Sequence, residues 1–171
     1  MSIEFAYNAW AEQYDTNENK TRDLDLTATV ETLKKYEFKS VLELGCGTAK
    51  NTIWLLSKAE CVVGLDFSEE MLRIAQEKIN DVRVEFKSAD LNKNWDIENQ
   101  FADLVTASLT LEHIANLNFI FNQAYQKLKV GITSKGQLNV GPSQQHIQEL
   151  MSLYDHGRYE ELLAKVKPLI S

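Results

Sequence analysis

The sequence predicts an α/β fold around a mostly parallel sheet, and three observations carry that prediction. Short apolar runs bounded by turn residues alternate with stretches of helical period, the pattern of repeated βαβ units. A glycine-rich turn, Gly45-Cys46-Gly47, stands directly between the first apolar run and the helix that follows it. The 171 residues, 44% of them hydrophobic, suffice for one core of ordinary domain size and not for two large ones.

Taken in order, strands are expected at 40–44, 61–65, 82–86, 102–107 and 137–140, with helices at 24–35, 51–58, 68–79 and 116–128. The helix at 68 has the best-marked start, because Ser68 can cap it and Glu69 and Glu70 put acids in its first turn. Its Met71, Leu72, Ile74, Ala75 and Ile79 form one apolar face to lay on the sheet. After Leu128 the composition changes: 129–136 is turn-rich, and Gly141-Pro142-Ser143 is a second break with Ser143 placed to cap a new helix. Helices at 144–154 and 159–170, separated near His156-Gly157, would form a hairpin. The expected division is a main domain over 1–141 and a helical hairpin tail over 142–171.

The formal charge of −7 offers no basic field to attract phosphates, so nucleic acid is not an expected partner. No apolar run approaches the roughly 18 to 20 residues of a membrane helix, and the first residues lack the basic-then-apolar pattern of a signal peptide. A cytoplasmic protein with no membrane partner is therefore expected. Cys46 and Cys61 belong to no Cys-x-x-Cys pair and are expected to be reduced and to pack, and the three histidines show no metal-ligand spacing.

The chemistry concentrates in Glu43-Leu44-Gly45-Cys46-Gly47-Thr48-Ala49. A glycine turn between strand and helix lets the backbone approach a ligand, since no Cβ intervenes. The dinucleotide-binding spacing fails here, because Lys50 stands where its last glycine would be. Asp66 lies about 20 residues beyond the glycines at the next strand end, where it can accept from both ribose hydroxyls. Asp90, after the third strand, can accept from an adenine amino group while the neighbouring backbone at Leu91 pairs with the ring. Phe67 reads either as a flank for the adenine or as core. Glu43 reads either as a carboxylate near the cofactor's amino group or as a charge satisfied by the loop. His113 is the one histidine near the expected reaction centre, either as a proton acceptor or as a packing residue.

These signals, in this order at successive strand ends, resemble the class I S-adenosylmethionine-dependent methyltransferases over residues about 7–128. The resemblance implies a Rossmann-like sheet in the order 3-2-1-4-5, S-adenosylmethionine as cofactor, and methyl transfer to a small-molecule acceptor. It implies that 106–109, beginning at Thr106, lines the methionine moiety. It also implies that Tyr14, in a helix around Trp10-Ala11-Glu12-Gln13-Tyr14-Asp15, closes over the cofactor. Ala49 departs from the family's frequent third glycine, and the Lys-Pro-Gly-Gly-like turn after the fifth helix is absent. Too few residues remain for the antiparallel edge strands. The tail resembles instead the first helix pair of a tetratricopeptide array, which cannot bury its own apolar face without a neighbour. It would pack on the open sheet edge or belong to a longer fusion. The alternative is a non-catalytic cofactor-binding module whose tail, 143–171, binds a protein partner.

Overall fold

The structure, a computed structural model, describes residues 3–16, 19–111, 114–129, 131–132 and 138–139. Two helices, α1 (Ile3–Tyr14) and α2 (Lys20–Leu33), precede the sheet. Then come β1 (Ser40–Leu44), α3 (Lys50–Lys58), β2 (Cys61–Asp66), α4 (Glu69–Lys78), β3 (Val84–Ser88), β4 (Leu104–Ala107) and α5 (Leu117–Lys127). The four strands pair in the order β3-β2-β1-β4, all parallel.

Every residue of β1 is buried, as a central parallel strand covered on both faces requires. Alternation divides its side chains: Leu42 and Leu44 join Val63, Leu65, Trp95 and Ile120 on one face, and Val41 joins Phe38, Leu55 and Val62 on the other. Glu43 falls on the second face with Val41, against α3, where its Oε2 accepts from the buried Thr52 hydroxyl at 2.6 Å. The start of α4 forms as its sequence dictates. The Ser68 hydroxyl accepts from the Met71 amide at 3.2 Å, and Met71, Leu72 and Ala75 are buried.

Several boundaries differ from expectation for local reasons. The third strand starts at Val84 rather than 82, because Asp81 folds back on the Arg83 amide and guanidinium and leaves Val82 fully exposed in the turn. The second helix starts at Lys20, four residues early, because Asn19 caps it by accepting from the Arg22 amide at 3.1 Å. The fourth strand begins at Leu104, since Ala102 forms an isolated parallel bridge with Leu128. That bridge also corrects the predicted order 3-2-1-4-5. The position beside β4 is entered by Leu128, and Leu138–Asn139 (β6) pairs antiparallel with Gly131–Ile132 (β5) in a separate two-stranded sheet. A hairpin closes a short loop, whereas a fifth parallel strand at 137–140 needs a longer excursion. The expected hairpin tail at 142–171 lies outside the described residues.

Candidate functional site

The C-terminal ends of β1 to β4 open on one cleft of about 420 Å³, within the range usual for small-molecule sites. Its glycine loop is shaped by backbone constraint. Gly45 has φ 69°, and a Cβ there would lie 1.9 Å from the Thr110 hydroxyl, so only glycine fits. Gly47 has φ 52° with nothing within 4 Å of a built Cβ, so its bare backbone faces open space. Ala49 also has positive φ, 67°, which explains why a glycine would be at ease there and marks alanine as a strained substitute.

The loop does not offer its first amides to a ligand. Gly45 and Cys46 N–H both donate to the Leu65 carbonyl, at 2.7 and 3.0 Å, because the β1–β2 register brings that carbonyl over the turn. Gly47 N–H donates to Asp66 Oδ2 at 2.9 Å. Asp66 is buried, and its Oδ1 accepts from the Ser68 amide at 2.9 Å. Burial pushes its pKa up, against the downward pull of these amides. Two carboxylate oxygens carry about four acceptor positions, so capacity for hydroxyl donors remains.

Of the residues read from sequence, Tyr14, Gly45, Gly47, Asp66, Phe67, Asp90 and Leu91 line the cleft together. Asp90 accepts from the Asn92 amide at 3.0 Å, which lowers its pKa and orients the loop after β3. Phe67 meets Tyr7 edge-on with ring centroids 5.7 Å apart. Tyr14 packs under the Arg22 guanidinium, 4.1 Å from its ring centroid, and burial raises its phenol pKa. Thr106 is half-buried within β4, opposite Glu43 in the sheet register, and is not on the cleft wall. The wall at that strand end is Ser108, Leu109 and Thr110 instead. His113 lies outside the described residues, and its neighbour Ile114 is on the wall.

Glu43 is also off the main cleft. It borders a small cavity of about 50 Å³ that shares Tyr14, Gly45, Gly47, Ser108 and Leu109 with it. Burial, opposed by the Thr52 hydrogen bond and reinforced by the charges of Asp66 and Asp25, pushes its pKa up to about 7. Sequence reasoning missed Tyr7 and Thr110. Tyr7 was findable, since Tyr7, Trp10 and Tyr14 stand at i, i+3 and i+7 on one helix face. Thr110 had no signal, because its part is to sit over Gly45.

The N-terminal helix is bound to this site by side chains. Asn8 Oδ1 accepts from the Ser68 hydroxyl at 2.6 Å, and Asp15 accepts from the Thr48 hydroxyl at 2.8 Å and pairs with Lys78. Thus α1 spans from the cap of α4 to the glycine loop.

A family-wide sequence profile described as a methyltransferase domain matches residues 41–131, more than half of the chain. The chain belongs to this methyltransferase family. Among relatives of the domain, the mouse (Mus musculus) mitochondrial ubiquinone biosynthesis O-methyltransferase is 32% identical over 96 residues, 53% of this chain and 26% of that enzyme. An S-adenosylmethionine-dependent methyltransferase from Mesorhizobium loti superposes with a TM-score of 0.56 at 27% identity, over 66% of this chain and 51% of that one. Phosphoethanolamine N-methyltransferase 2 of Haemonchus contortus, solved with S-adenosylmethionine, shares the fold at a TM-score of 0.60 and 21% identity, over 75% of this chain and 31% of that one. The chain spans less than half the length of the curated relatives it matches.

S-adenosylmethionine is the cofactor of this methyltransferase family, and the residues present fit it. The cleft has the volume, the buried acceptor at Asp66, the aromatic flank at Phe67 and the uncovered backbone at Gly47 that an adenosine with an amino-acid arm calls for. Among the described residues no group of three or more His, Cys, Asp or Glu is placed to hold a metal, and no helix is long and apolar enough to cross a membrane.

Proposed function

We propose that this methyltransferase domain transfers a methyl group from S-adenosylmethionine to a small-molecule acceptor. The observation that carries the reading is the convergence of Gly47, Asp66, Phe67, Asp90 and Leu91 on one cleft at the strand ends. In this reading Asp66 holds the ribose hydroxyls, and Asp90 with the Leu91 backbone holds the adenine. Glu43, with the loop at Gly45 and Gly47, faces the methionine end. Bound S-adenosylmethionine supplies an electrophilic methyl group on a positively charged sulfur.

The protein's own contribution is then mainly positioning, which can supply several orders of magnitude in rate. Tyr7, Tyr14 and Phe67 exclude water from one side of the cleft, while Leu109 and Ile114 form the wall along which an acceptor enters. The sulfonium charge is neutralised as the methyl leaves, so a cleft that does not fully compensate that charge loses little at the transition state; of its two acids, Asp90 is already paired with Lys93 at 3.3 Å. Where the acceptor must lose a proton, His113, next to Ile114 in sequence, is the residue to accept it.

The test is calorimetric titration of the chain with S-adenosylmethionine and its demethylated product, followed by a methyl-release assay across acceptors. Asp66→Ala is expected to weaken both ligands by about tenfold or more while the chain stays folded. Unchanged affinity in the folded variant refutes the ribose assignment.

A further inference from the structure

α3 turns one side to the core and leaves another bare. Leu55 is fully buried with Val41 and Val62, whereas Ile53, two residues earlier, is 55% exposed. Ile53 and Trp54 form the floor of a groove of about 800 Å³ between α2 and α3, whose opposite wall is Leu26 and Val30 of α2. Polar residues stand at one end of it, where Lys50 pairs with Asp23. The apolar stretch runs toward Val30 and Ser57, near the C-terminal ends of both helices. There Lys58 Nζ donates to the carbonyls of Lys34 and Tyr36 at 2.8 Å each and ties those ends side by side.

The chain leaves the described fold close to this end. After α3 the Glu60 amide donates to the Lys39 carbonyl at 2.7 Å, the Lys39 amide donates to Asp103, and Asp103 pairs with Lys129. Gly131, two residues further on, pairs with Asn139. Residues 140–143 then add at most about 14 Å of extended chain. The segment that follows carries an apolar stripe, Ile147, Leu150, Met151 and Tyr154, at i, i+3, i+4 and i+7. Gln145, Gln148, Glu149 and Ser152 repeat that spacing on the opposite side. As a helix, 144–154 is about 16 Å long, and residues 19–30, the α2 side of the groove, span about 17 Å.

We propose that residues 144–154 dock as an amphipathic helix in the groove between α2 and α3, laying Ile147, Leu150, Met151 and Tyr154 on Ile53 and Trp54. Helix-in-groove docking reads its partner through apolar anchors at this spacing. Tethering to the same chain makes a shallow groove sufficient, because a short linker sets an effective concentration in the millimolar range. The sheet edge at β4 suits this segment less. A strand edge offers backbone N–H and C=O groups, which a helix, with its own backbone bonds satisfied, leaves unmet.

The test uses the full chain without ligand. Met151→Cys is combined in turn with Ile53→Cys and with Val82→Cys, the latter in the exposed turn ahead of β3 and outside the groove. Under mild oxidation in dilute solution the Ile53 pair is expected to close a disulfide within one molecule, mapped by mass spectrometry, about tenfold or more faster than the Val82 pair. Ile53→Arg, at a position exposed enough to keep the fold, is expected to speed amide exchange in 144–154 by about tenfold, and Val82→Arg to leave it unchanged. Equal closure rates for the two pairs, or unchanged exchange in a folded Ile53→Arg chain, overturns the docking. So does a disulfide that forms only between molecules, which gives the groove to a second copy. The cofactor assignment is untouched by any of these results.

Discussion

The carboxylate that leads into β4 and the two buried toward the C-terminal ends of β1 and β2 are treated in opposite ways. At the N-terminal end, Asp103 Oδ2 accepts from the Lys39 and Ser40 amides at 2.9 Å each, and Oδ1 lies 3.1 Å from Lys129 Nζ. Burial works against ionisation there, yet these amides, the lysine and the Ser40 hydroxyl outweigh it and hold the pKa at about 2. Toward the C-terminal ends of β1 and β2, Glu43 and Asp66 are buried with no cation among the described residues bonded to either, and both are pushed up, Glu43 to about 7. The first arrangement fastens β1 to β4. The second leaves charge demand unmet at the strand ends, where a ligand can meet it, and such mismatch is characteristic of sites rather than of scaffolding.

The strongest way to break this contrast is at the loop itself. Gly45→Ala must place a methyl 1.9 Å from the Thr110 hydroxyl at φ 69°, and a loss of about 4 kcal/mol or failure to fold is expected in a denaturant melt. Gly47→Ala, with open space at φ 52°, should cost only about 1 kcal/mol, and any effect on the cofactor then reports close approach of the ligand.

Next comes Glu43. Its folded-state pKa near 7 exceeds the ordinary 4.5, so the native chain holds the proton more tightly than the unfolded one. The stability this proton supports is fully present below about pH 4.5 and is lost as pH rises through about 7. Glu43→Gln, neutral at every pH, should therefore gain on the wild type by up to about 3 kcal/mol between pH 5 and pH 8. Thermal melts across that range check it. A flat difference would mean that Glu43 is already compensated in the free chain.

Asp103→Asn sharpens the contrast from the other end. It should cost about 2 kcal/mol at neutral pH, through the amides of Lys39 and Ser40, and leave ligand affinity unchanged. The smallest effect is expected from Ala49→Gly, which removes left-handed strain of about 1 kcal/mol and loses a buried methyl of similar worth. A net change within about 0.5 kcal/mol would show the two cancelling.

What could be read in advance depended on whether a residue acts through its own stretch of chain. Ser68 and the acids after it announce α4 because a cap is a local transaction between neighbours. Asp66 could be placed because strand, turn and helix fix its distance from the glycines. Glu43 was legible as a choice, and only the β1 alternation, which turns it toward Thr52 and the small cavity, shows which wall it occupies. Thr110 and Asp25 could not be read, since each matters through a partner far along the chain, Gly45 for one and Asn51 for the other. The strand expected at 137–140 forms at Leu138–Asn139, but its partner could not be read: it pairs with Gly131–Ile132, while Leu128 bridges Ala102 just ahead of β4.

Cys46 sits in the middle of the glycine loop, buried, its sulfur 3.0 Å from where a Cβ on Gly64 would stand. Burial, with the charges of Glu43 and Asp66 nearby, pushes its thiol pKa well above the ordinary value. Alkylation and oxidation need an exposed thiolate, so this sulfur can react only while the turn has opened. Cys61, half-buried at the start of β2, serves as an internal standard on the same molecule. The ratio of their modification rates is thus a built-in clock for opening of the loop, readable by mass spectrometry without a single substitution.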